Sequence, residues 1–284
     1  MHSSLDPSPD EPLENSDAAE STAVFKPFFA HEGEDKRGLI ILADHAENTL
    51  PPGYGTLGLP ASEFARHIAY DIGVKSLCEQ LRRRLNASWV MSRFSRLLID
   101  PNRGLEDPTL IMRLSDGAVV PSNAVHSLAE RQHRIDAYYR PYDTAIARMI
   151  ERETARLGAP PILLSIHSFT PLWRGRARPW HAGILWDRDP RFALPLIERL
   201  RDDKTLIVGD NEPYSGELEG DTMNRHGTLK GIPHALLEIR QDLIADEAGI
   251  DAWADRLVPL IDEILDKADL RRPLSASECS KSVT

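Results

Sequence analysis

Short apolar runs alternate along this chain with longer stretches whose apolar residues recur at helical spacing. Gly38–Ala43 (GLIILA) and Pro161–Ile166 (PILLSI) are continuous apolar runs, as expected of strands buried on both faces. Ser88–Phe94, Ala182–Trp186, Thr205–Gly209 and His234–Ile239 read as further strands. Ser62–Leu85 sets Phe64, Ile68, Ile72, Leu77 and Leu81 broadly on one side of a predicted helix. It ends in Arg82, Arg83 and Arg84, cations suited to the C-terminal end of a helix dipole. Asn123–Leu157 predicts a long helix interrupted near Pro141, and Phe192–Arg201 a shorter one. Asp246–Lys267 predicts a last amphipathic helix that opens on acids. Alternation of this kind predicts an α/β fold, a three-layer α/β/α sandwich around a mixed, mostly parallel sheet.

Charge changes the picture at the ends. The chain has 284 residues and a formal charge of −10. Residues 1–25 hold six acids (Asp6, Asp10, Glu11, Glu14, Asp17 and Glu20) and no Lys or Arg, so the remainder is only mildly acidic. This opening reads as a disordered acidic tail, neither a signal nor a transit peptide. Residues 273–284 read as a short polar tail, which leaves 26–272 as one folded catalytic domain. The acidic balance argues against a nucleic-acid or anionic-membrane partner. No apolar run approaches the roughly 18 residues of a membrane span. Two cysteines, Cys78 and Cys279, cannot build a disulfide framework or a multi-cysteine zinc site. The expectation is a soluble, cytoplasmic protein.

In open α/β sheets ligands bind beyond the carboxyl ends of strands, so polar residues that follow apolar runs carry the most weight. Three such exits stand out: Asp44-His45-Ala46-Glu47-Asn48, Ile166-His167-Ser168 and Glu238-Ile239-Arg240. Histidines at two strand ends and a carboxylate at a third are the raw material of a mononuclear zinc hydrolase, which needs about three protein ligands and an open position. His45, with Glu47 or Asn48 beside it and His167 from another strand, is the candidate ligand set. The bland alternative is a turn cap at His45 and a satisfied buried His167. Glu238 lies within an apolar strand, where a carboxylate is costly unless paired or functional. It is the candidate general base, against the alternative of a salt bridge to Arg240 two residues on.

Other polar residues divide less sharply. Asn102 and Arg103 follow the run LLIDP and suit a substrate carboxylate, although Asp-Pro-Asn is also ordinary turn chemistry. His67, Tyr70 and Asp71 fall on the predicted first helix, where Asp71 could orient a histidine ligand or simply face solvent. His181 and His226 are loop candidates for substrate contact. Arg174, Arg176 and Arg178 alternate in a loop that reads either as a basic lid or as charged surface. Gly53–Gly58 (GYGTLG) matches a dinucleotide fingerprint literally. It stands ten residues beyond the nearest strand and among prolines, so it is read as a decoy. No Gly-x-Ser-x-Gly elbow and no Walker loop occurs.

Seven blocks in order resemble the N-formylglutamate amidohydrolase family. They are DHAENTLP (44–51), HIAYDIGV (67–74), SRLLIDPNR (95–103), SIHSFTP (165–171), RPWHAGILWDRD (178–189), NRHGT (224–228) and LEIRQDLI (237–244). The resemblance implies a zinc carboxypeptidase-like fold, one zinc ion and a small-molecule N-acyl amino acid as substrate. By the same resemblance His45 and His167 take metal-ligand places, Asn102 and Arg103 the carboxylate-binding pair, and Glu238 the general base. The second ligand departs from the pattern. A spacing of three from His45 lands on Asn48, while the carboxylate here is Glu47. An acidic substrate would need a further cation, Arg240 or one of the arginines 174–178. The activity implied is removal of a formyl or small acyl group, N-formyl-L-glutamate foremost. The alternatives are a zinc carboxypeptidase or amidase acting on small peptides or cell-wall fragments, and a non-enzymatic binding protein.

Overall fold

Seven strands form the central sheet: β1 (Phe28–His31), β2 (Leu39–Ala43), β3 (Ser88–Ser92), β4 (Ile162–Phe169), β5 (Ala182–Leu185), β6 (Val208–Asp210) and β7 (His234–Arg240). This computed structural model describes residues 25–272 and 274. The two tails read from the sequence, apart from Phe25 and Leu274, lie outside the described residues. The spatial order is β1-β3-β2-β4-β7-β5-β6. β3, β2, β4 and β7 run parallel, β5 and β6 are parallel to each other, and the β1–β3 and β7–β5 contacts are antiparallel. The sheet is therefore mixed and mostly parallel, and its middle strands β2, β4 and β7 end side by side.

Both faces are covered, which explains the continuous apolar runs. Side chains alternate across a strand. Leu39, Ile41 and Ala43 of β2 face a core shared with helices Val74–Leu85, Pro190–Asp202 and Glu247–Leu265. Ile40 and Leu42 face the opposite core, built with helix Arg140–Leu157. Ser165 and His167 share the parity of Leu163, and Glu238 that of Leu236, so these polar side chains emerge on the Arg140–Leu157 side. Among the described residues no helix is long and apolar enough to cross a membrane.

Three predicted elements differ from those observed. The first helix occupies only Val74–Leu85, preceded by a 3-10 turn at Ala61–Ala65 and irregular chain from 66 to 73. There the backbone makes isolated turns (Ala69 N–H to Arg66 O, 3.0 Å) and bonds to neighbouring loops: the Asp71 N–H donates to His45 O (2.9 Å) and the Arg96 N–H to Ala69 O (3.2 Å). His67, Tyr70 and Asp71 are consequently loop residues. The long second helix is broken into Leu128–Arg134, a π turn at Ile135–Tyr139 and Arg140–Leu157. The interruption thus falls just before Pro141, which sits in the first turn of the last piece. β6 starts at Val208, because the Thr205 N–H and Oγ1 are taken up in a turn by Asp203 (3.0 and 2.6 Å). Edge strand β1 carried no sequence signal strong enough to be read. Gly53–Gly58 forms consecutive turns (Tyr54 N–H to Pro51 O, Leu57 N–H to Tyr54 O), with no strand leading directly into it and no α-helix opening on it.

Gly73 sets where the helix begins. Its φ is +82°, and a Cβ there would lie 2.0 Å from Ile244 O. Gly73→Ala is expected to destabilise the protein by about 2 kcal/mol or more, since it adds a backbone clash to an unfavourable conformation. A denaturant midpoint unchanged by this substitution would contradict the account.

Candidate active site

Three loops meet above the ends of β2, β4 and β7, and backbone bonds stitch them together. The Ser95 N–H donates to Thr49 O (2.8 Å), and Ser95 Oγ to Ala69 O (2.8 Å). The loop after β3 is clamped from beneath by Arg134, which is 2% exposed. Its Nη1 donates to Leu98 O (2.8 Å) and Asn123 Oδ1 (2.7 Å), while Asn123 Nδ2 donates to Leu97 O (2.7 Å). This fixes the segment that carries Arg96, Asp100, Asn102 and Arg103.

His45, Asp71 and His167 converge in the space so enclosed. Among the described residues they form a group whose ligand atoms all lie within 4.8 Å of one another, and all three are buried. Both histidines turn Nδ1 toward Asp71 Oδ2, His167 at 2.9 Å and His45 at 3.4 Å. Both donate the far nitrogen to a buried carboxylate: His45 Nε2 to Asp100 Oδ1 (2.7 Å) and His167 Nε2 to Asp44 Oδ2 (3.1 Å). This is the arrangement that orients imidazole ligands around a cation. Two imidazole nitrogens and one carboxylate oxygen are also a fitting donor set for zinc.

The surrounding groups compensate the buried charge. Asp44 further accepts from Thr222 Oγ1 (2.7 Å), Tyr142 Oη (3.0 Å) and Ser165 Oγ (3.2 Å). Burial by itself raises its pKa. The bond from His167 and the charges of both histidines outweigh that and hold it at about 2. Asp71 is likewise held below the usual carboxylate range: burial opposes, but the charge of His45 and the bonds from both histidines prevail. Burial disfavours a charged His167, yet its bonds to Asp44 and Asp71 keep its pKa well above the ordinary value. Arg96 donates Nη2 (2.8 Å) and Nε (3.1 Å) to Asp100 Oδ2, and Nη1 (3.4 Å) to Asp71 Oδ1.

Glu238 is the exception to this pairing. It stands opposite His167 in the parallel register, is 7% exposed, and its Oε2 is buried without a hydrogen-bond partner. Burial pushes its pKa up to about 7, with the His167 charge opposing and that of Asp71 adding. Histidines and carboxylates line a cleft of about 380 Å³ together with Arg103. Phe169, Trp173, Leu185, Tyr214 and Leu236 supply its apolar walls.

The sequence candidates distribute unevenly over this site. His45, His167, Glu238, Asp71, Asn102 and Arg103 all line the cleft. Glu47 and Asn48 do not. Glu47 is held by Lys75 Nζ (2.5 Å), and Asn48 Nδ2 donates to Phe64 O (2.6 Å), so the loop turns both away from the cluster. Asp71 joins the two histidines instead, from a different loop and 26 residues from His45. Asn102 spends its Oδ1 on the Thr222 N–H (3.0 Å), capping the short helix Thr222–His226. Arg240 pairs with Asp242 (2.8 Å) instead of Glu238. His181 Nδ1 accepts from the Ile207 N–H (2.9 Å), and His226 Nε2 donates to Asp143 (2.7 Å); neither lines the cleft. Asp44, Arg96 and Asp100 were missed as site residues, although each lies within the quoted motifs, because nothing in their spacing shows what they hold.

A profile of the family described as N-formylglutamate amidohydrolase matches residues 37–245. Among solved structures, the gene product Atu2144 from Agrobacterium tumefaciens is similar at 33% identity and a TM-score of 0.78, over 85% of this chain and 95% of its own. The N-formylglutamate amidohydrolase from Ralstonia eutropha JMP134 shares the fold at 24% identity and a TM-score of 0.67, over 84% of this chain and 97% of its own. No curated protein sequence matches the chain. By the extent of the profile match and the one-third identity to a structure of the same fold, the chain belongs to the N-formylglutamate amidohydrolase family, hydrolases of linear amide C–N bonds.

Proposed function

We propose that the protein removes a formyl or other small acyl group from an N-acylated amino acid, N-formyl-L-glutamate being the substrate that the family description points to. One observation carries this reading: a buried carboxylate without a partner, Glu238, beside a cluster of two imidazoles and a carboxylate suited to a cation. His45 and His167, through Nδ1, and Asp71, through its carboxylate, would hold one zinc ion. When bound, zinc supplies positive charge that polarises a carbonyl and acidifies water. Asp100 and Asp44 hold the far nitrogens of the two histidines, so that neither ring can swing away.

Glu238 acts as the base. With a pKa near neutrality it takes a proton from the attacking water and returns it to the departing nitrogen. Water oxygen adds to the acyl carbon, the C–N bond breaks, and the products are the free acid, formate from a formyl group, and the amino acid. Arg103, which also lines the cleft, binds a substrate carboxylate and sets the amide against Glu238.

Glu238→Gln keeps the shape and removes the base. It is expected to lower kcat by about a hundredfold or more without loss of thermal stability, because an unpartnered buried carboxylate is costly. Near-normal formate release from this variant would sink the assignment. Chelation is expected to abolish turnover and added zinc to restore it. Asp71→Asn should lower the zinc bound per chain, whereas Glu47→Gln should retain it. The reverse pattern, measured as metal content, would return the second ligand to the loop after β2.

A further inference from the structure

Resting on that reading, we infer that Arg178 recognises a second carboxylate on the substrate, so that the enzyme selects N-acyl amino acids with an acidic side chain. An acidic amino acid brings two carboxylates to a cleft that already contains Asp71, Asp221, Glu217 and Glu238. Arg103 can neutralise one of them, since its contact with Asp107 is long (4.0 Å) and its other bonds go to Thr109 Oγ1 and Asn102 O. Arg96 cannot take the other, since its guanidinium is occupied by Asp100 and Asp71. Arg240 is excluded by its fork on Asp242 (2.8 and 3.2 Å).

Arg178 differs from all of these. The hairpin Leu172–Trp173/Arg176–Ala177 turns through Arg174 and Gly175, whose φ angles are +49° and +77°, the left-handed pair that closes a two-residue hairpin. Arg174 and Arg176 are left exposed at the tip. The returning strand bonds the Arg178 N–H to Pro171 O (2.9 Å) and brings the side chain back over the cleft wall. Its guanidinium lies 5.0 Å from the Tyr214 ring, 5.3 Å from Trp173 and 5.6 Å from Phe169. Nη1 is 3.3 Å from Thr170 Oγ1 and 3.4 Å from Thr170 O. All four of these residues line the cleft.

None of these partners carries a negative charge, and among the described residues no carboxylate forms an ion pair with Arg178. Aromatic rings pack around the half-buried guanidinium and leave its charge uncompensated, which favours an incoming anion. A planar fork held in this way matches a carboxylate better than an amide of the same shape. The second cation that an acidic substrate requires is therefore Arg178.

The test compares N-formyl-L-glutamate with N-formyl-L-glutamine, its uncharged isostere. The native enzyme is expected to prefer the glutamate by about 10- to 100-fold in kcat/KM, the value of a charge-assisted pair. Arg178→Gln should bring that ratio to within about threefold of unity, mostly through KM for the glutamate, and Arg178→Lys should keep part of it. Equal losses on both substrates would make Arg178 a brace for the hairpin and overturn the inference. A native enzyme indifferent between the two substrates would overturn it as well, with the amidohydrolase reading intact. Failure of the native enzyme to release formate from any N-formyl amino acid would bring down that reading and the inference together.

Discussion

The site is organised around the carboxylate of Asp71. One of its oxygens accepts from His167 Nδ1 and the Ser168 N–H and faces His45 Nδ1, while the other faces Arg96. It thereby ties the ends of β2 and β4 to the loop after β3. A carboxylate buried this deeply is tolerable only because several donors and positive charges converge on it. The same groups make a pocket of ligand atoms that a cation can share. The pairing that stabilises the buried charge is thus also the arrangement on which the proposed metal site rests.

The remaining charges follow from that requirement. Each histidine must be held at its far nitrogen, and Asp44 and Asp100 do this from fully buried positions. Those carboxylates need partners in turn, and Thr222, Tyr142, Ser165 and Arg96 provide them. Satisfaction propagates outward until, among the carboxylates of the described residues, Glu238 is left with an unpaired buried oxygen. A fold that pairs its other buried carboxylates this thoroughly leaves one free at a cost, and chemistry is the reason consistent with its position beside the cluster. Arg178 is the matching case among the cations, since its charge rests on rings and neutral oxygens at the same cleft.

Support for the site comes from beneath the loops. Tyr142 reaches Asp44 and Asp143 reaches His226, both from helix Arg140–Leu157. Tyr139 in the π turn before it donates to Arg103 O (2.8 Å). Buried Arg134 does the same for the chain around Leu98. The π turn is therefore part of the support, because it sets the phase of the side chains that follow it.

Local pattern alone was enough for the strands that matter most. β2, β4 and β7 are short apolar runs because both of their faces are covered, and the residues that leave their carboxyl ends, His45, His167 and Glu238, could be singled out on that ground. The ordered motifs were enough for the family. The carboxylate that joins the two histidines was not legible. Asp71 looked like one face of a helix, and Glu47 and Asn48 looked better placed for His45. Only the fold reveals that residues 66–73 bond to neighbouring loops, which bends Asp71 inward, while Lys75 and Phe64 O draw Glu47 and Asn48 away. The same limit applies to the choice of Arg178 over Arg240, which depends on a hairpin turn and on which arginine finds an aspartate. Periodicity reports which side chains are buried along one element. Which charges meet is decided by contacts between segments far apart in the chain, and no local pattern encodes those.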